Sequence, residues 1–99
     1  EAIAAWRRAT ELEPEHGQVY RLLGDAYRAT GRPGEAVAAY EQALAASPSF
    51  AQKAWFYLRL GQAYYAAHQF DAAREAFEQV LEMDPDNDTA QKYSERMQP

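Results

Sequence analysis

The sequence predicts an all-α chain built from repeated helix pairs. Ala stands at 21 of the 99 positions, whereas Ile and Val together take four. Ala is the best helix former and β-branched residues are poorer ones, so this composition favours helices throughout. Leu-Gly pairs and single prolines also recur at a fixed spacing along the chain. Recurrence of this kind in a helical chain is typical of stacked structural repeats.

Charge and composition disfavour several classes of function. The net charge of −5 disfavours nucleic acid and a membrane surface as partners, because both attract cationic proteins. No apolar run approaches the roughly 20 residues of a membrane-spanning helix, and no signal peptide is visible. The chain has no Cys, which fits any compartment, so its localisation stays open. It opens inside a helical pattern and without Met, which suggests a piece of a longer protein.

An internal repeat organises most of the chain. The second copy lies 37 residues after the first: Tyr20, Leu23, Gly24, Tyr27, Ala36, Tyr40 and Pro48 recur as Tyr57, Leu60, Gly61, Tyr64, Ala73, Phe77 and Pro85. An earlier half copy lies 34 residues before: Ala2, Trp6, Ala9 and Pro14 precede Ala36, Tyr40, Ala43 and Pro48. The period is therefore 34 residues, with a three-residue insertion between Pro48 and Tyr57.

These residues resemble the tetratricopeptide repeat, whose pattern is W-x2-L-G-x2-Y, then A-x3-F, then P. The resemblance covers residues 1–87, with Tyr in place of Trp at the first aromatic position. It implies an all-α, right-handed α-solenoid of antiparallel helix pairs that ends in a capping helix and binds proteins or peptides on a concave face. We predict one domain, 1–99, comprising the second half of a truncated repeat (1–14), two full repeats (17–50 and 51–87) and a capping helix (88–99).

Proline and glycine positions predict where the helices begin and end. A residue before proline is pushed out of the α region, and clusters of turn residues separate helices within a repeat. We predict six helices, at about 1–12, 16–30, 34–46, 50–67, 71–82 and 87–97. Asp71 is the predicted N-cap of the fifth helix. Because residues 50–67 contain no Pro, we expect the insertion to lengthen the fourth helix by about one turn.

Gly24 and Gly61 lie in the middle of predicted helices, where Gly costs about 1 kcal/mol relative to Ala. We interpret both as sites where the second helix of the repeat passes close to the backbone, with Ala36 and Ala73 providing the facing small surface.

No pattern for catalysis, a cofactor or a metal site is present. His16 and His68, the two histidines, stand in predicted turns, and a metal site needs about three or four converging ligands. The acids Asp84, Asp86, Asp88 and Glu95 have a spacing that superficially mimics a calcium-binding loop. We interpret this segment instead as a helix boundary, with carboxylates near the next helix N-terminus.

The resemblance implies that first helices line the binding groove. The positions carried over are Gln18, Arg21, Asp25 and Arg28, then Trp55, Arg59, Gln62 and Tyr65, joined by Lys92 and Arg96 of the capping helix. These positions hold five of the ten cations and one of the 15 acids. A locally basic groove on an acidic protein predicts an acidic peptide or a carboxylate as ligand. Alternatively, the arginines are solvated surface paired with nearby acids, as Arg21 and Asp25 would be, one helical turn apart.

Chaperone C-termini are not the expected ligand. The resembled family holds them with a carboxylate clamp that uses Lys-x3-Asn on one first helix and further donors on later ones. The corresponding residues here are Arg21 and Asp25, then Leu58 and Gln62. Asp25 would repel a carboxylate and Leu58 cannot donate a hydrogen bond. The alternative function is a structural or self-associating segment of a longer solenoid, without a groove ligand of its own.

The N-terminal helix lacks the first helix of its repeat. We therefore expect an apolar strip around Ile3, Trp6 and Leu12 to face water or a substitute surface. Exposed apolar patches usually find a partner, so we predict a homo-oligomer formed through Ile3 and Trp6.

Overall fold

The computed structural model describes residue 3 and residues 17–97, and within them it contains five helices longer than two turns and no strand. The chain divides into two compact units, Glu1–Phe50 and Ala51–Pro99. The division falls where the second full repeat is predicted to begin. The assignment of all 99 residues to one domain remains a prediction.

The first unit contains α1 (Gly17–Ala29) and α2 (Pro33–Ala46), which pack against each other. A short turn joins the two helices, and small residues on α2 allow the close packing. Its core includes buried residues from both helices: Leu23, Gly24 and Tyr27 of α1 with Ala36, Val37, Ala39, Tyr40 and Ala43 of α2.

The second unit contains α3 (Ala54–Ala66), α4 (Phe70–Met83) and α5 (Asp88–Arg96). Helix α4 packs against both α3 and α5. Phe77 is fully buried at the centre, where its ring stacks on Tyr93 of α5 with the centroids 4.8 Å apart. The other buried side chains come from all three helices: Phe56, Leu60, Ala63, Ala73, Ala76, Val80 and Ala90. The predicted capping helix therefore closes the core of this unit through Ala90 and Tyr93.

The glycine of each Leu-Gly pair lies directly beneath an aromatic ring. A Cβ added at Gly24 would be 2.8 Å from the Tyr40 ring, and one added at Gly61 would be 2.9 Å from the Phe77 ring. Both rings are fully buried. The predicted close approach is confirmed, but the facing group was wrong, because it is an aromatic ring and not a small alanine surface. Glycine is needed at both positions because any side chain would take the space that the ring occupies against the backbone.

The expectation that the insertion lengthens a helix was wrong. Helices α1 and α3 both have 13 residues, and the extra residues form a 3-10 helix over Pro48–Gln52. Lys53 follows in an extended conformation, with φ −115° and ψ 112°, and ends any helical continuity. Phe50 and Phe56 are both buried. The two side chains are six positions apart, so in one continuous helix they would point to different faces. The break at Lys53 allows both to be buried.

Asp71 is not the N-cap of α4, which was a second error. Helix α4 begins at Phe70 with Gln69 as its N-cap residue, and Gln69 makes no side-chain capping bond. Phe70 corresponds to Pro33, the first residue of α2, so the helix start follows the repeat. Asp71 lies in the first turn, where a carboxylate interacts favourably with the helix dipole.

The interpretation of the acidic segment as a helix boundary is confirmed. Helix α4 ends at Met83 and α5 begins at Asp88. The side chain of Asn87 caps α5 by accepting a hydrogen bond from the Ala90 backbone N–H at 2.9 Å. Among the described residues no cluster of three or more His, Cys, Asp or Glu could hold a metal ion.

Ile3 is helical and only 6% exposed, so of the two alternatives predicted for it, water or a substitute surface, exposure to water is excluded. Its burial within the chain removes it from the apolar strip on which self-association was predicted. Trp6 and Leu12 lie outside the described residues, and the homo-oligomer remains a prediction. No helix in the described part of the chain is long and apolar enough to span a membrane.

The turns inside the two repeats share a left-handed residue and an equivalent hydrogen bond, although their sequences differ. Gly31 has φ 75° and His68, its equivalent 37 positions later, has φ 63°. The residue after each donates its N–H to a carbonyl of the preceding helix: Arg32 to Tyr27 at 2.8 Å and Gln69 to Tyr64 at 2.9 Å. Glycine adopts this left-handed conformation without steric cost, and a side chain does not.

We expect His68→Gly to stabilise the protein by about 0.5–1 kcal/mol, because it relieves a left-handed residue that carries a Cβ. The loss of the His68 ring contact with Phe70 offsets part of this gain. Gly31→Ala makes the opposite change at the equivalent turn and should destabilise by a similar amount. Chemical denaturation of both variants measures this, and a lower midpoint for His68→Gly would contradict the assignment of strain.

Candidate functional site

The first-unit residues of the predicted groove are linked to one another and to the core. Arg21 forms an ion pair with Asp25 at 2.8 Å, as the alternative interpretation predicted. Asp25 also accepts a hydrogen bond from the hydroxyl of Tyr40, a buried core residue on α2. Arg28, which is exposed, interacts with the same hydroxyl. Gln18 lies exposed at the start of α1.

Asp25, predicted as a groove residue, is therefore also bonded to a core residue. Burial, together with the hydrogen bond to Asp25, raises the pKa of the Tyr40 hydroxyl above its ordinary value, although Arg28 acts in the opposite direction. The hydroxyl is thus protonated and donates to Asp25. The equivalent pair in the second unit is Gln62 and Phe77, and Phe77 has no hydroxyl to donate.

Exposed Trp55 and half-buried Arg59 of α3 lie against each other. The guanidinium carbon of Arg59 lies 5.0 Å from the centroid of the Trp55 ring, a cation–π contact. Trp55 is 40% exposed although it is a large apolar residue. The edge of its ring also meets buried Phe56. Gln62, one turn beyond Arg59, is half-buried. This pair places a fixed positive charge beside an accessible apolar ring.

Tyr65 and Arg96, predicted as separate groove residues, are brought together by Tyr93. The Tyr65 and Tyr93 rings meet edge to face with centroids 5.1 Å apart, and the Arg96 guanidinium carbon lies 5.2 Å from the Tyr93 centroid. Lys92 precedes Tyr93 and is exposed on α5. The capping helix thus places Arg96 against an aromatic residue that also packs on Phe77.

A cleft of about 360 Å³ lies beside this aromatic group. Its lining residues come from α3, α4 and the end of α5: Tyr65, Phe70, Arg74, Arg96 and Met97. The groove prediction included Tyr65 and Arg96 and missed the other three. A signal did exist in the repeat alignment, because Phe70 and Arg74 stand where the first unit has Pro33 and buried Val37. A cation at a position that is buried in the other repeat indicates a different role.

Two family models, each described as a tetratricopeptide repeat, match the chain over residues 28–93 and residues 1–49. Among curated proteins, the chain is 30% identical over 91 residues to the small glutamine-rich tetratricopeptide repeat-containing protein 2 of Mycosarcoma maydis. That match covers 92% of this chain and 25% of the relative. It is 31% identical over 86 residues to a UDP-N-acetylglucosamine–peptide N-acetylglucosaminyltransferase of Giardia intestinalis, covering 87% of this chain and 6% of that enzyme. The chain thus spans a quarter or less of the length of either relative.

Solved structures with a similar fold include peptide complexes. The second such domain of human RPAP3, in complex with the HSP70 peptide SGPTIEEVD, has a TM-score of 0.81 at 20% identity, covering 96% of this chain and 77% of that one. The first such domain of Spaghetti (RPAP3), bound to the HSP90 peptide SRMEEVD, has a TM-score of 0.82 at 21% identity, covering 96% and 73%. With family models matching across most of its length, the chain belongs to the tetratricopeptide repeat family and has the all-α helical-repeat fold.

Proposed function

We propose that this chain is a protein-interaction module that binds an acidic peptide segment of a partner protein. Three findings support the proposal. The chain belongs to a family whose solved members include peptide complexes. The peptides in those complexes end in sequences rich in acidic residues. The chain itself is acidic overall, yet half of its cations stand at the positions predicted to line a groove.

The Trp55–Arg59 pair is the observation that carries the proposal. Residues that dominate binding energy at interfaces are enriched in Trp, Tyr and Arg, and an exposed Trp leaves apolar area in contact with water. A peptide carboxylate would pair with Arg59 while an apolar part of the same peptide covers the Trp55 ring. A cation on its own would attract many anions, whereas a cation fixed over an apolar ring selects a ligand that has both features.

The groove positions of the second unit suit an acidic ligand better than those of the first unit. In the first unit Asp25 neutralises Arg21 at 2.8 Å and would repel an acidic ligand. Arg28, another groove position of that unit, is exposed. In the second unit the matching residues to Arg21 and Asp25 are Leu58 and Gln62, which carry no charge. We infer that Arg59, Lys92 and Arg96 provide most of the attraction for the peptide.

Chaperone tails are not the ligand that we propose. The peptides bound by the RPAP3 domains belong to proteins that are only 20–21% identical to this chain. The Asp25 carboxylate and the apolar Leu58 stand at the clamp positions here, and neither can donate to a terminal carboxylate.

The proposed function is not enzymatic. Its support is the family and the peptide-bound neighbours. The transferase relative does not argue against this, because the match covers only 6% of that enzyme and does not assign its activity to the matched segment.

A second candidate is a structural segment that has no groove ligand of its own. The internal network of Arg21, Asp25 and Tyr40 favours it, because these groups bind one another within the first unit. The two candidates differ in their outcome on a peptide array, where a structural segment would retain no sequence above background.

The test is an array of equal-length acidic, neutral and basic peptides probed with the protein. We expect acidic peptides with apolar residues to bind, and Arg28→Glu with Arg59→Glu to weaken binding at least about tenfold, because charge-assisted hydrogen bonds are lost. Arg32→Glu with Lys53→Glu is the matched control, since it reverses two exposed charges outside the predicted groove. Arg32 pairs with Glu35 on the surface at 2.7 Å, and such pairs contribute little stability. Equal binding by both double variants would exclude the groove assignment.

A further inference from the structure

The cleft between α3, α4 and the end of α5 combines two charges with an apolar lining. Arg74 and Arg96 are exposed and supply the charges, while Tyr65, Phe70 and Met97 supply the apolar surface. Phe70 is 43% exposed, which is unusual for a residue of its size. A volume of about 360 Å³ is at the small end of the range for ligand pockets. It therefore suits one or two side chains and not a folded surface.

The two guanidinium groups are held in place without a carboxylate. Arg74 donates a hydrogen bond to the Met97 carbonyl at 3.0 Å, and Arg96 lies over the Tyr93 ring. Among the described residues neither forms an ion pair. Glu78, one helical turn beyond Arg74, is not within ion-pair distance of it. Positive charge at the cleft is thus positioned but not neutralised.

We propose that this cleft anchors one acidic side chain of a peptide, Glu or Asp, together with the apolar side chain next to it. The inference rests on the proposed function and adds a second contact point to the Trp55–Arg59 pair. The carboxylate would lie between Arg74 and Arg96, since guanidinium groups bind carboxylates through paired hydrogen bonds. The apolar neighbour would cover Phe70 and Met97, which would remove their apolar area from water.

The two methionines of the chain provide a direct test by NMR. Met97 lines the cleft, whereas Met83 is exposed at the other end of α4, about 13 Å along the helix from Arg74. The protein is labelled at the methionine methyl groups and titrated with acetyl-Leu-Glu-Leu-Glu-amide. We expect the Met97 signal to shift and the Met83 signal to stay in place. Acetyl-Leu-Gln-Leu-Gln-amide is uncharged and similar in size. Its affinity, measured by the shift of the Met97 signal, should be at least about tenfold weaker.

Variants on the cleft distinguish this inference from the proposed function. Arg74→Gln and Arg96→Gln should each weaken the peptide affinity measured at the Met97 signal about tenfold. Arg74→Lys, which keeps the charge, should lose less affinity. Far-ultraviolet circular dichroism of each variant checks that it is folded. If Arg59→Glu weakens peptide binding while Met97 never shifts, the proposed function stands and the cleft assignment is wrong. If Met97 responds and Arg59→Glu has no effect, the cleft assignment stands and the Trp55–Arg59 assignment is wrong.

Other occupants of the cleft would give different results. Inorganic phosphate that shifts Met97 as strongly as the Glu peptide would show a general anion site and overturn the peptide assignment. A Met97 shift that grows with protein concentration in the absence of peptide would show that a second copy of the chain occupies the cleft, and would overturn it as well.

Discussion

Gly61→Leu should destabilise the protein by about 3 kcal/mol, at the upper end of the cost of overpacking a core. The first added atom would already lie 2.9 Å from the Phe77 ring, well inside an ordinary carbon–carbon contact of about 3.5–4.0 Å. Phe77 cannot move away, because it is fully buried and stacked on Tyr93. Even Gly61→Ala should destabilise, although Ala gains about 1 kcal/mol in helix propensity over Gly. Gly24→Leu should behave alike, because its first added atom would meet the buried Tyr40 ring at 2.8 Å.

Gly34→Ala is the matched control for these variants. Gly34 is also helical, in the first turn of α2, but a Cβ added there would meet nothing within 4 Å. The same chemical change should therefore stabilise the protein, by up to about 1 kcal/mol. Thermal or chemical unfolding of the two alanine variants measures the difference in sign. If Gly61→Ala and Gly34→Ala changed stability equally, the close approach of the Phe77 ring would not explain why glycine is present.

Phe77→Ala should be the most damaging truncation in the second unit, costing about 3–5 kcal/mol. The side chain is fully buried, covers Gly61 and stacks on Tyr93, so its removal leaves a cavity that touches all three helices. A small domain has a free energy of unfolding of only about 5–15 kcal/mol. The variant would therefore lose a large share of its stability, and the contact that holds α5 would weaken first.

Phe70→Ala provides the comparison on the same helix. Phe70 is 43% exposed and contacts the edge of Tyr65, so its truncation should cost less than about 1.5 kcal/mol. Denaturation of both variants by urea, with far-ultraviolet circular dichroism as the signal, separates the two predictions. A Phe77→Ala variant as stable as Phe70→Ala would show that the second unit is not built around this residue.

The repeat pattern was sufficient to predict the fold. Leu60, Gly61 and Phe77 recur with the spacing that places them on facing helix surfaces, and the prolines at 48 and 85 mark where helices end. Such periodicity reports which face of a helix is buried, because burial recurs with the helical turn. It predicted both helix pairs and the closing helix without any knowledge of side-chain contacts.

The start of α3 could not be predicted from the same pattern. The stretch from Phe50 to Ala67 contains no Pro and no cluster of turn residues, so the local sequence indicates one long helix. The helix is broken at Lys53, and Phe50 and Phe56 on either side of the break are both buried. Burial of two side chains on different faces of a would-be helix is a tertiary effect, and it overrides weak local preferences.

The candidate site was predicted in part. Helix periodicity placed Trp55 beside Arg59 and Arg21 beside Asp25, since residues one turn apart are neighbours. It could not show that Tyr40 reaches Asp25, or that Phe70 and Arg74 approach Arg96, because those contacts join different helices. The length and direction of each side chain determine such contacts, and a repeat pattern specifies neither.

Site-specific crosslinking tests the central claim, that an acidic peptide binds on the Trp55 face, most directly. The photoreactive residue p-benzoylphenylalanine replaces Trp55 in one protein and Glu78 in another. Glu78 is exposed on α4, outside the predicted groove. Each protein is irradiated with the acidic peptide that the array selects. We predict that position 55 crosslinks to the peptide and that position 78 does not. Crosslinking from position 78 alone, or equally from both positions, would contradict the proposed binding face.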